Sequence, residues 1–330
     1  MKKITTIMLS FLLIVSVSFA LSACGNSQNN QADNQGQNSV TQDSTQSQNS
    51  EKTRTFAIVY PIIHPFFQSC SDSAMAYAEK MGYEVLIRGP VQFSVQEQIQ
   101  IVEDLIAMNV DGFGIGSTDA EALAPLVDRA MDQGIKVVCF DTDTPNSKRL
   151  SYIGTNNFNA GMAMGETLAK LLNNKGKVIV SQGIPTQSNL IERLEGVKET
   201  LKKYPDVQIV DVQAGDGDPA KTMGNIENMV EANPDFGALI GMDSMAGPNA
   251  VTVWKTKGLN QVVITFDDLE EILDGIKNGQ ITASIGQRQY TWGELILKSL
   301  NDACEGKALD EIIDTGTVEI TKANVDTYKD

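Results

Sequence analysis

Two short stretches decide the fold: KVVCFD at residues 136–141 and VVITFD at residues 262–267. Each is a continuous apolar run that ends in Phe-Asp, at Phe140-Asp141 and again at Phe266-Asp267. An unbroken run of this length, without polar alternation, is expected of a strand buried on both faces of a parallel sheet. Working outward, residues 56–60, 84–87, 112–115, 177–181, 207–212 and 237–241 read as strands of the same kind. Amphipathic helical patterns separate most of them, for example at residues 67–81, 94–108 and 120–133. Strand-helix alternation predicts an α/β fold with parallel sheets. The repeated Phe-Asp end predicts two similar halves, hence two lobes. Loops at the carboxyl ends of parallel strands line ligand crevices, so Asp141 and Asp267 are expected on opposite walls of one cleft.

The start of the chain reads differently. Lys2 and Lys3 precede an apolar stretch over residues 7–21, followed by Leu21, Ser22, Ala23 and Cys24. This is the pattern of a secretory signal over residues 1–23, and it resembles a bacterial lipoprotein lipobox, which implies that Cys24 carries the lipid. Residues 24–52 are Asn, Gln, Ser, Thr and Asp with little that is apolar, and are expected to be a flexible tether. The membrane is therefore an expected partner only through Cys24, and the folded part is expected outside the cytoplasm.

A formal net charge of −16 without a basic cluster argues against nucleic acid as a partner. Besides Cys24 there are Cys70, Cys139 and Cys304, with no CxxC spacing, so neither a metal site nor a disulfide framework is expected. Cys70 and Cys139 read as small buried hydrophobes, and one disulfide among the three stays open. No cofactor is implied. The glycines at 112, 114 and 116 have the wrong spacing for a dinucleotide fingerprint, and Asp216-Gly217-Asp218 is too short for a calcium loop. His64, the single histidine, has no Ser or Cys motif beside it that would make it a catalyst.

Three segments, FAIVYPIIHPFFQSCSDSAMAYAEKMGYEV (56–85), GIKVVCFDTDTPNSKRLSYIGTNNFNAG (134–161) and VVITFDDLEEILDGIKNGQITASIGQ (262–287), resemble the type I periplasmic binding proteins, in particular the ribose- and galactose-binding branch. That resemblance implies two Rossmann-like lobes joined by three hinge strands, with chain crossings near Thr155, Arg288 and Asp314. The lobes would comprise residues 55–155 with 288–313, and 156–287 with 314–330. It implies a monosaccharide or sugar-like polyol held between them and delivered to an ABC transporter permease by a monomeric protein without enzymatic activity. A sensory role, presenting the ligand to a membrane kinase, is the alternative; a glycan-active enzyme is a weaker one.

By the same resemblance, His64, Phe66 and Phe67 supply a polar contact and rings for the sugar, and Asp141 accepts from its hydroxyls. Asn189 and Arg193, one helical turn apart, face it from the second lobe, with Asp243, Asp267 and Gln287. The alternatives are core packing for the two phenylalanines and a surface ion pair with Glu192 or Glu195 for Arg193. Four positions depart from the pattern, the first being Asp243, where the family usually carries asparagine. Thr142 stands where ribose binders often carry a basic residue, Gly116 where they carry asparagine, and Gly217 where a second-lobe ring covers the sugar. Space at Gly116 and Gly217 would admit a larger ligand unless another ring, such as Trp254 or Tyr290, fills it. Asp143 would replace part of the polar role lost at Thr142, or sit in a solvated loop.

Overall fold

A computed structural model describes residues 53–329. The signal, Cys24 and the tether expected over residues 1–52 lie outside the described residues. The remainder forms one compact unit built on two six-stranded sheets.

The first sheet contains β1 (Thr55–Val59), β2 (Glu84–Arg88), β3 (Gly112–Ile115), β4 (Lys136–Phe140), β5 (Tyr152–Gly154) and β11 (Ile312–Asp314), in the spatial order β11-β5-β4-β3-β1-β2. The second contains β6 (Gly176–Gln182), β7 (Val207–Ala214), β8 (Ala238–Gly241), β9 (Val262–Phe266), β10 (Ala283–Gln287) and β12 (Thr317–Thr321), in the order β12-β10-β9-β8-β6-β7. The two orders are the same once the strands are matched in sequence, so the halves are indeed alike. One detail departs from the all-parallel expectation: β12 runs antiparallel to β10. It follows β11 through a tight turn at Thr315-Gly316, with Gly316 at φ +71°, and so enters the second sheet from the side of the first.

The apolar runs are explained by two-sided burial. Successive side chains on a strand point to opposite faces. Phe56 and Ile58 of β1 pack with Val138 and Phe140 of β4 against α1 (Gln68–Met81) and α9 (Trp292–Cys304), whereas Ala57, Val59, Val137 and Cys139 pack against α2 (Val95–Met108) and α3 (Ala120–Asp132). In the second sheet Val178, Val180, Ile264 and Phe266 face α4 (Asn157–Leu171) and α5 (Ser188–Leu201). Ile179, Leu239 and Val263 face α6 (Pro219–Ala232), α7 (Ala246–Lys257) and α8 (Glu270–Asn278). Cys70 and Cys139 are buried in these cores and, with the half-buried Cys304, form no disulfide among the described residues. The glycines of β3 serve packing: a Cβ at Gly114 would come 2.6 Å from Ile296 of α9.

The chain passes between the sheets three times, after β5, after β10 and after β11. These crossings are tied sideways. Thr155 Oγ1 donates to Gln287 Oε1 at 2.7 Å, and Trp292 Nε1 donates to Thr315 Oγ1 at 3.0 Å. The backbone N–H of Thr315 donates to Gly154 O at 2.8 Å.

Candidate functional site

The carboxyl ends of both sheets meet at a cavity lined from both halves of the molecule, by Phe66, Phe67, Phe93 and Asp141 on one side and Asn189, Arg193, Asp243 and Asp267 on the other. Asp141 and Asp267 each follow the last residue of a strand, β4 and β9, and both adopt left-handed backbone, at φ +58° and +73°. Aspartate tolerates that region better than most residues. The turn it makes directs each carboxylate off the strand end and into the cavity rather than along the sheet.

Arg193, on the second turn of α5, is the centre of the polar wall and is 2 % exposed. Its guanidinium lies over the Phe266 ring with Cζ 3.4 Å from the centroid, a cation–π contact. One terminal nitrogen donates to Asn157 Oδ1 at 2.7 Å and the other to Met242 O. Its Nε–H is buried without a protein acceptor. Around it stand three carboxylates, Asp141, Asp243 and Asp267. Burial pushes the Asp267 carboxyl up to about 8, against the pull of Arg193 and of Gln287, whose Nε2 donates to Asp267 Oδ1 at 2.8 Å. Burial likewise pushes Asp141 up to about 6, opposed by Arg193 and Thr142. Asp243 is raised by burial, with the Ala246 N–H at 3.0 Å acting the other way. The Arg193 guanidinium is itself pulled down by burial and held up by the carboxylates.

The other wall is apolar. His64 Nδ1 accepts from the Phe66 N–H at 3.3 Å and so caps a short 3-10 turn, Pro65–Phe67, which sets the two rings against the cavity. Phe67 also stacks on Tyr60 at 4.5 Å, and Phe66 meets Trp292 edge-on at 5.9 Å. Burial holds the His64 imidazole below its ordinary range. The site thus combines rings suited to the C–H faces of a ligand with carboxylates, amides and a guanidinium suited to hydroxyls that both donate and accept.

A sequence profile described as a periplasmic binding protein domain matches residues 56–308. The chain belongs to that family. Among curated periplasmic binding proteins it is 28% identical over 250 residues to the ribose import binding protein RbsB of Bacillus subtilis, covering 76% of this chain and 81% of that one. It is 29% identical over 284 residues to the D-ribose/D-allose-binding protein of Pseudomonas aeruginosa, covering 81% and 88%. Among solved structures it is similar to an ABC transporter solute-binding protein from Burkholderia graminis in complex with D-arabinose, with a TM-score of 0.80, 34% identity, and 83% and 97% of the two chains covered. These relatives are binding components of transporters, not enzymes.

In this periplasmic binding protein the cavity gathers all nine residues singled out in the sequence: His64, Phe66, Phe67, Asp141, Asn189, Arg193, Asp243, Asp267 and Gln287. The surface reading of Arg193 fails, since its partners are Asn157 and Met242 rather than Glu192 or Glu195. Asp143 does not line the cavity; it is held by Arg149 through two hydrogen bonds of 2.7 Å. Trp254 and Tyr290 do not fill the space at Gly217. Trp254 is buried against Phe236 and donates to Gln261 O at 3.0 Å, while Tyr290 lies outside the lining residues. Phe93, which sequence reasoning missed, faces Gly217 instead: a Cβ on that glycine would lie 3.6 Å from Phe93 Cβ. Its position just after a first-sheet strand, immediately before the helix cap Ser94, was the signal that could have found it. Gly116 opens no space in the cavity, because a Cβ there would meet Pro61 and the Phe140 carbonyl at 3.1 and 3.2 Å. Asp216 pairs with Lys221, and Asp218 caps α6.

The placement of Arg193 depends on two glycines. Where α4 crosses α5, a Cβ at Gly161 would lie 1.9 Å from Arg193 O, and one at Gly196 would lie 2.1 Å from Phe158 O. Gly→Ala inside a helix ordinarily stabilises by about 1 kcal/mol. Here Gly161→Ala is expected to destabilise by about 1–3 kcal/mol, because α5 must move away with its arginine. A urea-denaturation midpoint equal to or above that of the wild type would contradict this packing.

Proposed function

We propose that this protein is a solute-binding protein outside the cytoplasm that captures an uncharged monosaccharide or related polyol in the interlobe cavity and delivers it to an ABC transporter permease. The observation that carries this reading is the buried, acceptor-less Nε–H of Arg193 on a cavity wall shared with three carboxylates and faced by phenylalanine rings. A sugar oxygen satisfies that donor, and neighbouring hydroxyls donate to the carboxylates. Ligand between two lobes joined by hinges favours the closed form that a permease would recognise. The named ligands of the relatives, ribose, allose and arabinose, support the pentose and hexose class. Mass spectrometry of small molecules released from the purified protein is expected to identify a monosaccharide or polyol. A retained amino acid, peptide or metal chelate would overturn the assignment.

The protein is further proposed to be tethered by a lipid on Cys24, on the strength of the lipobox-like segment and the polar stretch after it, and to act as a monomer, as the resemblance implies. Among the described residues no helix is long and apolar enough to cross a membrane. Cys24→Ser is expected to move the protein from the membrane fraction to the medium or to leave it as an unprocessed precursor; an unchanged mature, membrane-bound form would contradict the anchor. A second reading, presentation of the sugar to a protein other than a permease, draws on a chain 25% identical, with a TM-score of 0.77, that was solved as the XylFII-LytSN complex.

A further inference from the structure

The aromatic residues of the cavity all come from the first-sheet side. Phe66 and Phe67 follow β1, and Phe93 follows β2. Phe93 is partly buried and leads directly into an anchored segment. The next residue, Ser94, caps α2 by accepting from the Glu97 N–H at 3.2 Å. One turn on, the fully buried Gln98 donates to Tyr60 O at 3.1 Å and Gly116 O at 2.7 Å and accepts from the Thr118 N–H at 2.7 Å. Opposite the ring, Gly217 turns at φ +77°, beside Ile184, whose Cδ1 would lie 3.3 Å from an added Cβ. A Cβ at 217 would sit tight against Ile184 and in ordinary contact with Phe93 Cβ at 3.6 Å, so residues 217 and 93 are direct neighbours across the cavity.

We infer that Phe93 sets the size limit of the ligand site, closing the cavity over Gly217 and covering one face of the bound sugar. This rests on the sugar-binding reading above. Pentose-sized and hexose-sized ligands are then sorted by a residue of the first lobe, while the second lobe supplies most of the groups that read hydroxyls.

The test is calorimetry of wild type, Phe93→Ala and Phe93→Leu against D-ribose, D-arabinose, D-galactose and lactose, with circular dichroism to confirm that each variant is folded. For Phe93→Ala the affinity for the tightest wild-type ligand is expected to fall at least tenfold. The ratio of affinities for a larger over a smaller sugar is expected to rise at least fivefold, with Phe93→Leu between. A merely structural role would lower all affinities by one common factor and leave that ratio unchanged, which would overturn the inference. So would affinities within twofold of wild type. Should wild type bind none of the four, the sugar-binding reading itself falls, and this inference with it; should wild type bind and the ratio stay fixed, only the role of Phe93 falls.

Discussion

Arg193→Ala is expected to weaken sugar binding at least about 30-fold, as truncating one partner of a buried charged network does, and to lower folding stability by about 3–5 kcal/mol. Both effects have the same origin. The guanidinium is the cation that offsets Asp141, Asp243 and Asp267 in the wall described above, and its loss leaves those buried carboxylates without it. The Met242 carbonyl and Asn157 Oδ1 lose their donors as well. The carboxyls respond by taking up protons, so the loss in stability should be greater at pH 8 than at pH 5.5. Arg193→Lys restores charge but not shape: one ammonium cannot lie flat on Phe266 while reaching two acceptors and leaving a third donor for ligand. Its affinity is expected to stay about tenfold or more below wild type. Urea denaturation at the two pH values, with calorimetry, checks these expectations; an alanine variant as stable as wild type at pH 8 would sink the proposed electrostatics.

The second large effect is on pH dependence. Asp267 holds its proton up to about 8 and Asp141 up to about 6, both above the ordinary value of 3.8. Between those limits the folded chain binds more protons than the unfolded chain, so stability falls as pH rises. The contribution is fully present below about pH 4 and is lost as pH passes through the folded values, at about 1.4 kcal/mol for each tenfold difference in proton affinity between the folded and unfolded chains. His64 acts in the opposite sense, because burial lowers its value from 6.5. The clean window is therefore about pH 6.5 to 8.5, where Asp267 dominates. Ligand-free wild type is expected to lose stability across it, on the order of a kcal/mol or more, and Asp267→Asn to remove most of that slope. The same substitution should weaken sugar binding at least about tenfold, since one carboxyl oxygen able to accept from a sugar hydroxyl is replaced by an NH2 that only donates. Stability that is flat across the window in wild type, or a slope retained in Asp267→Asn, would contradict the burial of an ionisable Asp267.

Much of the scaffold was legible because two-sided burial writes itself as uninterrupted apolar runs. KVVCF at β4 and VVITF at β9 could hardly be anything else, and the aspartate after each marks the crevice side of a parallel sheet. β5, β10 and β11 were visible only as crossings implied by resemblance. YIG and IID are three residues long, and ASIGQ is built of small residues, so neither length nor periodicity identifies them. The antiparallel course of β12 is set by the Gly316 turn and has no signature in hydrophobicity.

In the site, residues tied to a strand end or a helix face were readable, and residues defined by what faces them were not. Asp141, Asp243 and Asp267 follow strands, and Asn189 and Arg193 share a helix face. The meaning of Gly217 depends on a ring brought to it from a distant part of the chain, which local sequence does not encode. Trp254 drew attention by its size, yet its indole completes the core beneath α7. Gly116 suggested an open space that Pro61 and the Phe140 carbonyl in fact close.

The central claim is that the cavity between the two sheets binds a monosaccharide-like ligand through Arg193 and its carboxylates. Isothermal titration of delipidated, ligand-stripped protein against a panel of pentoses, hexoses and polyols tests it most directly. The expected result is saturable one-to-one binding of at least one of them, without turnover, and lost in Arg193→Ala; no binding across the panel, or binding equally strong in the Arg193 variant, would contradict it.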